Sequence, residues 1–290
     1  MQAYKQITDE INLNQQFKML TQAYQEHAIV QINLARFSVL ASREFMGELA
    51  EIFYNVKKSY ELYLKSLTGK EKDQHKERIK KNGKEVLVLL SANGKFYGDL
   101  VTKVSRLFVQ QVKDNPDADV IIVGSEGRIF FENADTGRPF TYLTIPDTSI
   151  TLDMLKPLIQ AIIGYQRSLI FYGKFNNIIV QDAVEGSITG DMPTDTKIKI
   201  QENEDFLFEP NIEFVMEFFE NQIFSMLLNQ TVSEGKLARF ASRIKAMEAA
   251  QNNLLKQLGI LNRKSRRIRS MESNKKQLQL FAGRALWNKK

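Results

Sequence analysis

Apolar residues step through the last part of the chain in alternating intervals of three and four: Leu237, Phe240, Ile244, Met247, then Leu254, Leu258, Leu261 and Ile268, with Gln251 and Ser265 in the same register. That spacing puts one stripe along one side of an α-helix and, kept for about thirty residues, is coiled-coil periodicity. A weaker version opens the chain. Phe17, Leu20 and Tyr24, then Phe45, Leu49, Ile52 and Val56, follow the same steps, with Gln31 and Ser38 where apolar residues would fit. All six prolines fall between Pro116 and Pro210, so neither end carries the residue that a helix interior tolerates least. Two arms of about 60 and 80 residues, if wholly helical, reach about 90 and 120 Å, and must pack on each other or on a partner.

The centre has a different rhythm. "EVLVLLS" (85–91) and "DVIIVGS" (119–125) are short, unbroken apolar runs ending in small residues, as in parallel strands buried on both faces. "GDLVTKVSRLFVQQV" between them has helical spacing, and "LDMLKPLIQAII" repeats it, with Pro157 placed to shorten or kink the helix. "RSLIFYGKFNNIIVQDAV" reads as strand, turn and strand. The predicted architecture is therefore an α/β domain inserted between two helical arms. Its divisions are 1–68 for the first arm, 69–83 for a charged linker, 84–209 for the α/β domain and 210–290 for the last arm.

Charge sharpens this picture. Residues 1–58 hold six basic and six acidic side chains, whereas residues 234–290 hold fifteen basic and three acidic, against a whole-chain net charge of +6. The positive field is concentrated in the last arm, and "LNRKSRRIRS" (261–270) alone carries five charges. Such a segment suits a nucleic-acid arm, a membrane-surface helix or the solvated flank of a coiled coil. With Leu261 and Ile268 in the seam, Arg263, Lys264, Arg266, Arg267 and Arg269 surround the helix instead of lining one side. That disfavours a flat binding surface and suits a rod enclosed by an acidic collar.

Catalytic chemistry finds little support. The chain has no cysteine and two isolated histidines, His27 and His75, which leaves no basis for thiolate chemistry or a zinc site. "SANGKFYGD" (91–99) is a glycine-bearing turn between a strand and a helix, but it matches neither the P-loop order nor GxGxxG, and "GSEGR" (124–128) is no closer. No cofactor, metal or nucleotide site is expected. No window approaches the length of an apolar membrane span and the first residues lack a secretion pattern, so the expectation is a cytoplasmic protein that crosses no membrane.

Four segments, in order, carry a family resemblance. "INLNQQFKMLTQAY" (11–24) is similar to the N-terminal helix of the gamma subunit of F-type ATP synthases, with Leu20, Thr21, Ala23 and Tyr24 on its Ile-Thr-x-Ala-Met positions. "LLSANGKFYGDL" resembles that family's turn after the first strand through Ser91, Gly94 and Gly98. "FYGKFNNIIVQ" resembles its Tyr-Asn-Lys-Phe strand through Tyr172, Lys174, Phe175 and Gln181. "SRIKAMEAAQNN" resembles its Ala-Arg-Met helix through Arg243, Ala246, Met247, Ala250 and Asn253.

The resemblance implies a long antiparallel coiled coil of the terminal helices carrying a Rossmann-like α/β domain. It implies a non-enzymatic rotor shaft turning inside a hexameric ring of alpha and beta subunits, where the ATP chemistry occurs. An epsilon-like subunit and a membrane ring would meet the α/β foot, placing the chain peripherally on the cytoplasmic face of a membrane. Leu20, Thr21, Ala23 and Tyr24, with Arg263, Lys264, Arg266, Arg267 and Arg269, would contact the ring. Leu280, Phe281, Leu286 and Trp287 would form the shaft tip in its bearing. The neutral first arm, a segment from Asn262 to Ala282 about four or five residues longer than the family spacing, and the basic ending "FAGRALWNKK" depart from the family pattern. They leave two alternatives: a rotor-like paralogue whose foot docks a structural or cytoskeletal partner, and, more distantly, a basic coiled-coil nucleic-acid adaptor.

Overall fold

The computed structural model describes residues 2–66, 82–148, 150–188, 209 and 211–287. The elements in chain order are α1 (Gln2–Ser66), β1 (Glu85–Leu90), α2 (Leu100–Asp114), β2 (Asp119–Val123), α3 (Ser125–Asn133), β3 (Thr141–Leu143), α4 (Leu152–Ile162), β4 (Arg167–Phe175), β5 (Gln181–Ile188) and α5 (Ile212–Trp287). The expected linker lies almost wholly outside the described residues. Pro157 sits inside α4, which continues past it.

The five strands form one sheet in the order β3-β2-β1-β4-β5, parallel except for the antiparallel β4–β5 hairpin. The unbroken apolar runs of β1 and β2 follow from burial on both faces. On one face Val86, Val88, Leu90, Ile121, Val123 and Ile170 pack with Leu155, Leu158 and Ile162 of α4 and with Phe224, Leu228 and Val232 of α5. On the other, Leu87, Leu89, Val120, Ile122, Leu169 and Phe171 pack with Leu100, Val104, Phe108 and Val112 of α2 and with Phe131 of α3. Ala238 of α5 belongs to this second cluster, so α5 crosses from one face of the sheet to the other between Val232 and Ala238.

The chain divides into two compact units: Ile29–Ser242, which holds the sheet, and Met1–Ala28 with Arg243–Lys290, which is helical. Within the sheet unit α1 packs on α5 through Leu49, Phe53, Val56 and Ile223, with the rings of Phe53 and Phe219 6.4 Å apart. Within the helical unit Gln251 donates to Gln25 Oε1 at 2.7 Å and the Arg243 guanidinium lies 5.6 Å from the centre of the Tyr24 ring. Each unit thus contains a stretch of α1 packed on a stretch of α5. Among the described residues no helix is long and apolar enough to cross a membrane.

The seam of α5 follows the three-four step: Ile244 and Met247 are buried, and Gln251, Leu254, Leu258, Leu261, Ser265 and Ile268 are half-buried between exposed neighbours. The seam of α1 departs in part from its apolar pattern. Phe17 and Leu20 are 48% and 49% exposed, and the less exposed positions are Ile11, Asn14, Lys18, Thr21, Tyr24, Gln25 and Ala28. Farther along, Phe45 and Ile52 are exposed while Leu49, Phe53 and Val56 are buried. A polar seam is tolerable where its groups are satisfied locally. Asn14 Nδ2 donates to Glu10 O at 2.8 Å and Thr21 Oγ1 to Lys18 O at 2.8 Å, each returning its donor to its own helix.

Candidate functional site

In an open α/β sheet, ligands enter the crevice at the C-terminal ends of the strands where the chain order reverses. Here that point lies between β1 and β4, and it begins with the turn 91–99. The backbone donors of Asn93 and Gly94 in this turn are already engaged. Asn93 N donates to both carboxylate oxygens of Asp147 at 3.1 Å, Gly94 N donates to Asp147 Oδ2 at 2.7 Å, and Tyr97 Oη donates to the same oxygen at 3.3 Å. A side-chain carboxylate thus takes the place that a phosphate takes in a nucleotide-binding loop. Asn93 braces the neighbouring loops: its Nδ2 donates to Ile145 O at 2.6 Å and its Oδ1 accepts from Ser125 N at 3.2 Å.

"GSEGR" has an equally structural role. Gly124 adopts φ +97°, and a Cβ there would lie 2.9 Å from the Ala92 backbone; one at Gly127 would lie 2.6 Å from Ser91 Cβ. These glycines let the β2–α3 turn close against the end of β1.

The crevice is filled by α5. Arg239, only 7% exposed, donates from its guanidinium to Ser91 O at 3.0 Å. Lys236 donates to Thr148 O, and Ser242 Oγ to Tyr97 O at 2.7 Å. The Phe240 and Tyr97 rings stand nearly perpendicular, at 77°, with centroids 5.8 Å apart. Gly173 of β4 admits this approach, since a Cβ there would lie 2.8 Å from Leu100 Cδ2 and 3.2 Å from Ala238 Cβ. Burial, and then the charge of Arg239, hold the Lys236 ammonium below its ordinary pKa. Burial, and then the Glu234 carboxylate, push the Tyr172 hydroxyl up to about 12. The cavity left among Leu90, Ser91, Val123, Ile145, Val232 and Arg239 is about 20 Å³, room for a water. Among the described residues no group of His, Cys, Asp and Glu is placed to hold a metal ion. The geometry here is that of a helix socket.

The second region is the helical unit. Arg263, Lys264, Arg266, Arg267 and Arg269 are all exposed, on successive sides of α5 around the half-buried Leu261, Ser265 and Ile268. On α1, Leu20 and Ala23 are exposed, while Thr21 and Tyr24 are half-buried on the seam side. Leu280 and Phe281 stand 74% and 69% exposed near the end of α5. Leu286 and Trp287 lie within the helix, but their side chains fall outside those described.

Lys236, Arg239 and Ser242, and the Asp147 brace, escaped the sequence reading. The socket had one visible signal, a basic residue inside the small and apolar run "LARFAS". Asp147 had none, being about fifty residues from the turn it caps.

Comparison with known proteins agrees with this architecture. The family model described as ATP synthase matches residues 3–272. The ATP synthase gamma chain of Halothermothrix orenii is 23% identical over 261 residues, covering 87% of this chain and 88% of that one. That of Hyphomonas neptunium is 22% identical over 302 residues, covering 98% and 99%. Among solved structures, a chain of the Euglena gracilis mitochondrial ATP synthase rotor superposes with a TM-score of 0.58 at 16% identity, covering 93% of this chain and 98% of that chain. A chain of the Tetrahymena thermophila mitochondrial ATP synthase central stalk and c-ring gives 0.57 at 16% identity, covering 80% and 99%. A sequence match over nearly the whole length, joined to two antiparallel terminal helices around an inserted α/β sheet, assigns the chain to the ATP synthase gamma-chain family.

Proposed function

We infer that the chain is the central rotor shaft of an F-type rotary ATPase, a non-catalytic subunit that couples ATP turnover in a ring of alpha and beta subunits to rotation. The observation that carries this is the helical unit: an antiparallel helix pair with a half-buried seam and basic side chains on successive sides of α5. A seam that two helices cover only in part suits a rod held inside a ring. Charges spread around the rod supply several weak, screened contacts, each worth about a kcal/mol or less, and no single trap that would stall rotation. Arg263, Lys264, Arg266, Arg267 and Arg269 would face acidic loops of the ring, joined by the exposed Leu20 and Ala23. Thr21 and Tyr24, turned toward the seam, would support that surface from behind. Leu280 and Phe281, with Leu286 and Trp287, would enter the bearing. The α/β domain, 84–209 by sequence, would form the foot between the helical arms 1–68 and 210–290, with 69–83 as its linker. An epsilon-like subunit and a membrane ring would dock there, on the cytoplasmic face of the membrane.

The test is gentle purification of the full chain with identification of every partner, followed by reconstitution. Arg263, Arg266, Arg267 and Arg269 replaced together by Gln keep helix length and most helix propensity. The variant is expected to fold and to lose ATPase turnover or torque clearly, with little loss for any single change. Turnover like the parent at low and high salt would remove the collar. Recovery with nucleic acid and without alpha or beta subunits would replace the shaft reading by the adaptor.

A further inference from the structure

A shaft must pass torque between its helices and its α/β foot, and the hydrophobic effect that drives apolar packing is not directional. Phe224, Leu228 and Val232 pack on β-sheet side chains through contacts that are not directional. Hydrogen bonds are directional and resist sliding and turning. Three of them tie α5 to the foot, from side chains three residues apart to carbonyls at the sheet's C-terminal edge, two in the turn 91–99 and one after β3: Lys236 to Thr148 O, Arg239 to Ser91 O and Ser242 to Tyr97 O. On a helix turning about 100° and rising about 1.5 Å per residue, these donors span about 120° of the circumference and about 9 Å of its length. A set so spread opposes rotation in either sense as well as axial slip.

The acceptors are themselves fixed. Asp147 binds Asn93 N, Gly94 N and Tyr97 Oη, and Asn93 holds Ile145 O, so the stretches carrying Ser91 O, Tyr97 O and Thr148 O are cross-braced into one socket. Arg239 and Ser242 are buried, which shields their bonds from competition with water.

We propose that Lys236, Arg239 and Ser242 are a torque key: positioning residues that lock α5 to the α/β domain so that foot and shaft turn as one body. This rests on the rotor-shaft reading above and names the contact through which that rotor transmits force. The role of the three is mechanical.

The test uses the full chain reconstituted with its alpha and beta subunits. Because the chain has no cysteine, one introduced at the exposed Asp114 by Asp114→Cys gives a unique attachment for a rotation probe on the foot. The key is removed by Lys236→Met, Arg239→Met and Ser242→Ala together, and partly restored by a chain in which Arg239→Lys replaces Arg239→Met. The angular variance of the probe during a dwell is expected to at least double in the triple variant and to fall back with the lysine, while unloaded ATP hydrolysis by the ring changes less than twofold. A purely structural role would lower thermal stability and leave the dwell variance of the assembled complex where it was. If the triple variant is too unstable to assemble, Ser242→Ala alone, which removes one oxygen, decides the matter by the same measurement. Unchanged variance in a variant that assembles and rotates overturns the key. Failure of the parent chain to assemble and rotate overturns the shaft reading, and the key with it.

Discussion

The two stretches of α5 on either side of Ser242 share one helix and differ in what covers them. From Ile223 to Ser242 the helix is walled by the sheet and α1, and Ile223, Leu228, Ala238, Phe240 and Ala241 are fully buried. From Gln251 to Ile268 the best-covered positions are only half-buried. The first stretch carries its own core. The second has the periodicity of a core and too little protein around it, as expected of a surface that a ring of other subunits completes. Stability and function therefore separate along one element.

The largest break in this comparison is a charge placed in each stretch. Leu228→Asp puts a carboxylate among Val86, Val88 and Leu155, and should cost about 4 kcal/mol or enough to unfold the sheet unit. Leu258→Asp, in the half-covered seam, should cost only about 1 kcal/mol in the isolated chain. Urea unfolding followed by helical circular dichroism measures both. Equal losses would mean that the helical unit has a core as closed as the sheet's.

A smaller effect tests the sheet's edge. Gly124→Ala should destabilise by about 2 kcal/mol, since it adds a Cβ against the Ala92 backbone at positive φ. Gly259→Ala, with open space around its Cβ and ordinary helical surroundings, should be neutral or stabilise by up to about 1 kcal/mol. Thermal melts of the two variants should therefore move apart.

The smallest effect near neutrality appears only in alkali. The hydroxyls of Tyr165 and Tyr172 are pushed from 10.0 up to about 12, Tyr165 by burial and then by its hydrogen bond to Asp119, Tyr172 by burial and then by Glu234. The folded chain holds these protons more tightly than the unfolded chain. Their contribution is thus fully present below about pH 10 and lost as pH rises toward about 12. Stability should fall over that window through the sheet unit, and Tyr165→Phe should flatten the fall. A tyrosinate absorbance titration with all tyrosines ionising near pH 10 would contradict this.

The two helices also differ in how legible they were. In α5 the seam is apolar and its step survives almost unchanged from sequence to burial, because Leu254, Leu258, Leu261 and Ile268 have no other apolar stripe to compete with them. In α1 the strongly apolar Phe17 and Leu20 are about half exposed, more so than the polar Asn14, Lys18, Thr21 and Gln25. Hydrophobicity there marks a surface left for something else, and local hydrogen bonds from Asn14 and Thr21 make the polar seam affordable. The strands "EVLVLL" and "DVIIV" were plain because burial on both faces removes polar residues. The three-residue β3 and the Asp147 cap were not, because each depends on pairing that only the folded chain creates.

The most direct measurement of the central claim is hydrogen exchange along α5, first in the isolated chain and then after its alpha and beta subunits are added. Amides of 223–242 should be strongly protected in both states, while those of 251–282 should exchange readily alone and become protected in the assembly, together with residues 4–28 of α1. Protection of 251–282 that is already complete in the isolated chain, or that does not change when alpha and beta subunits are present, would contradict a shaft whose outer half is completed by a ring.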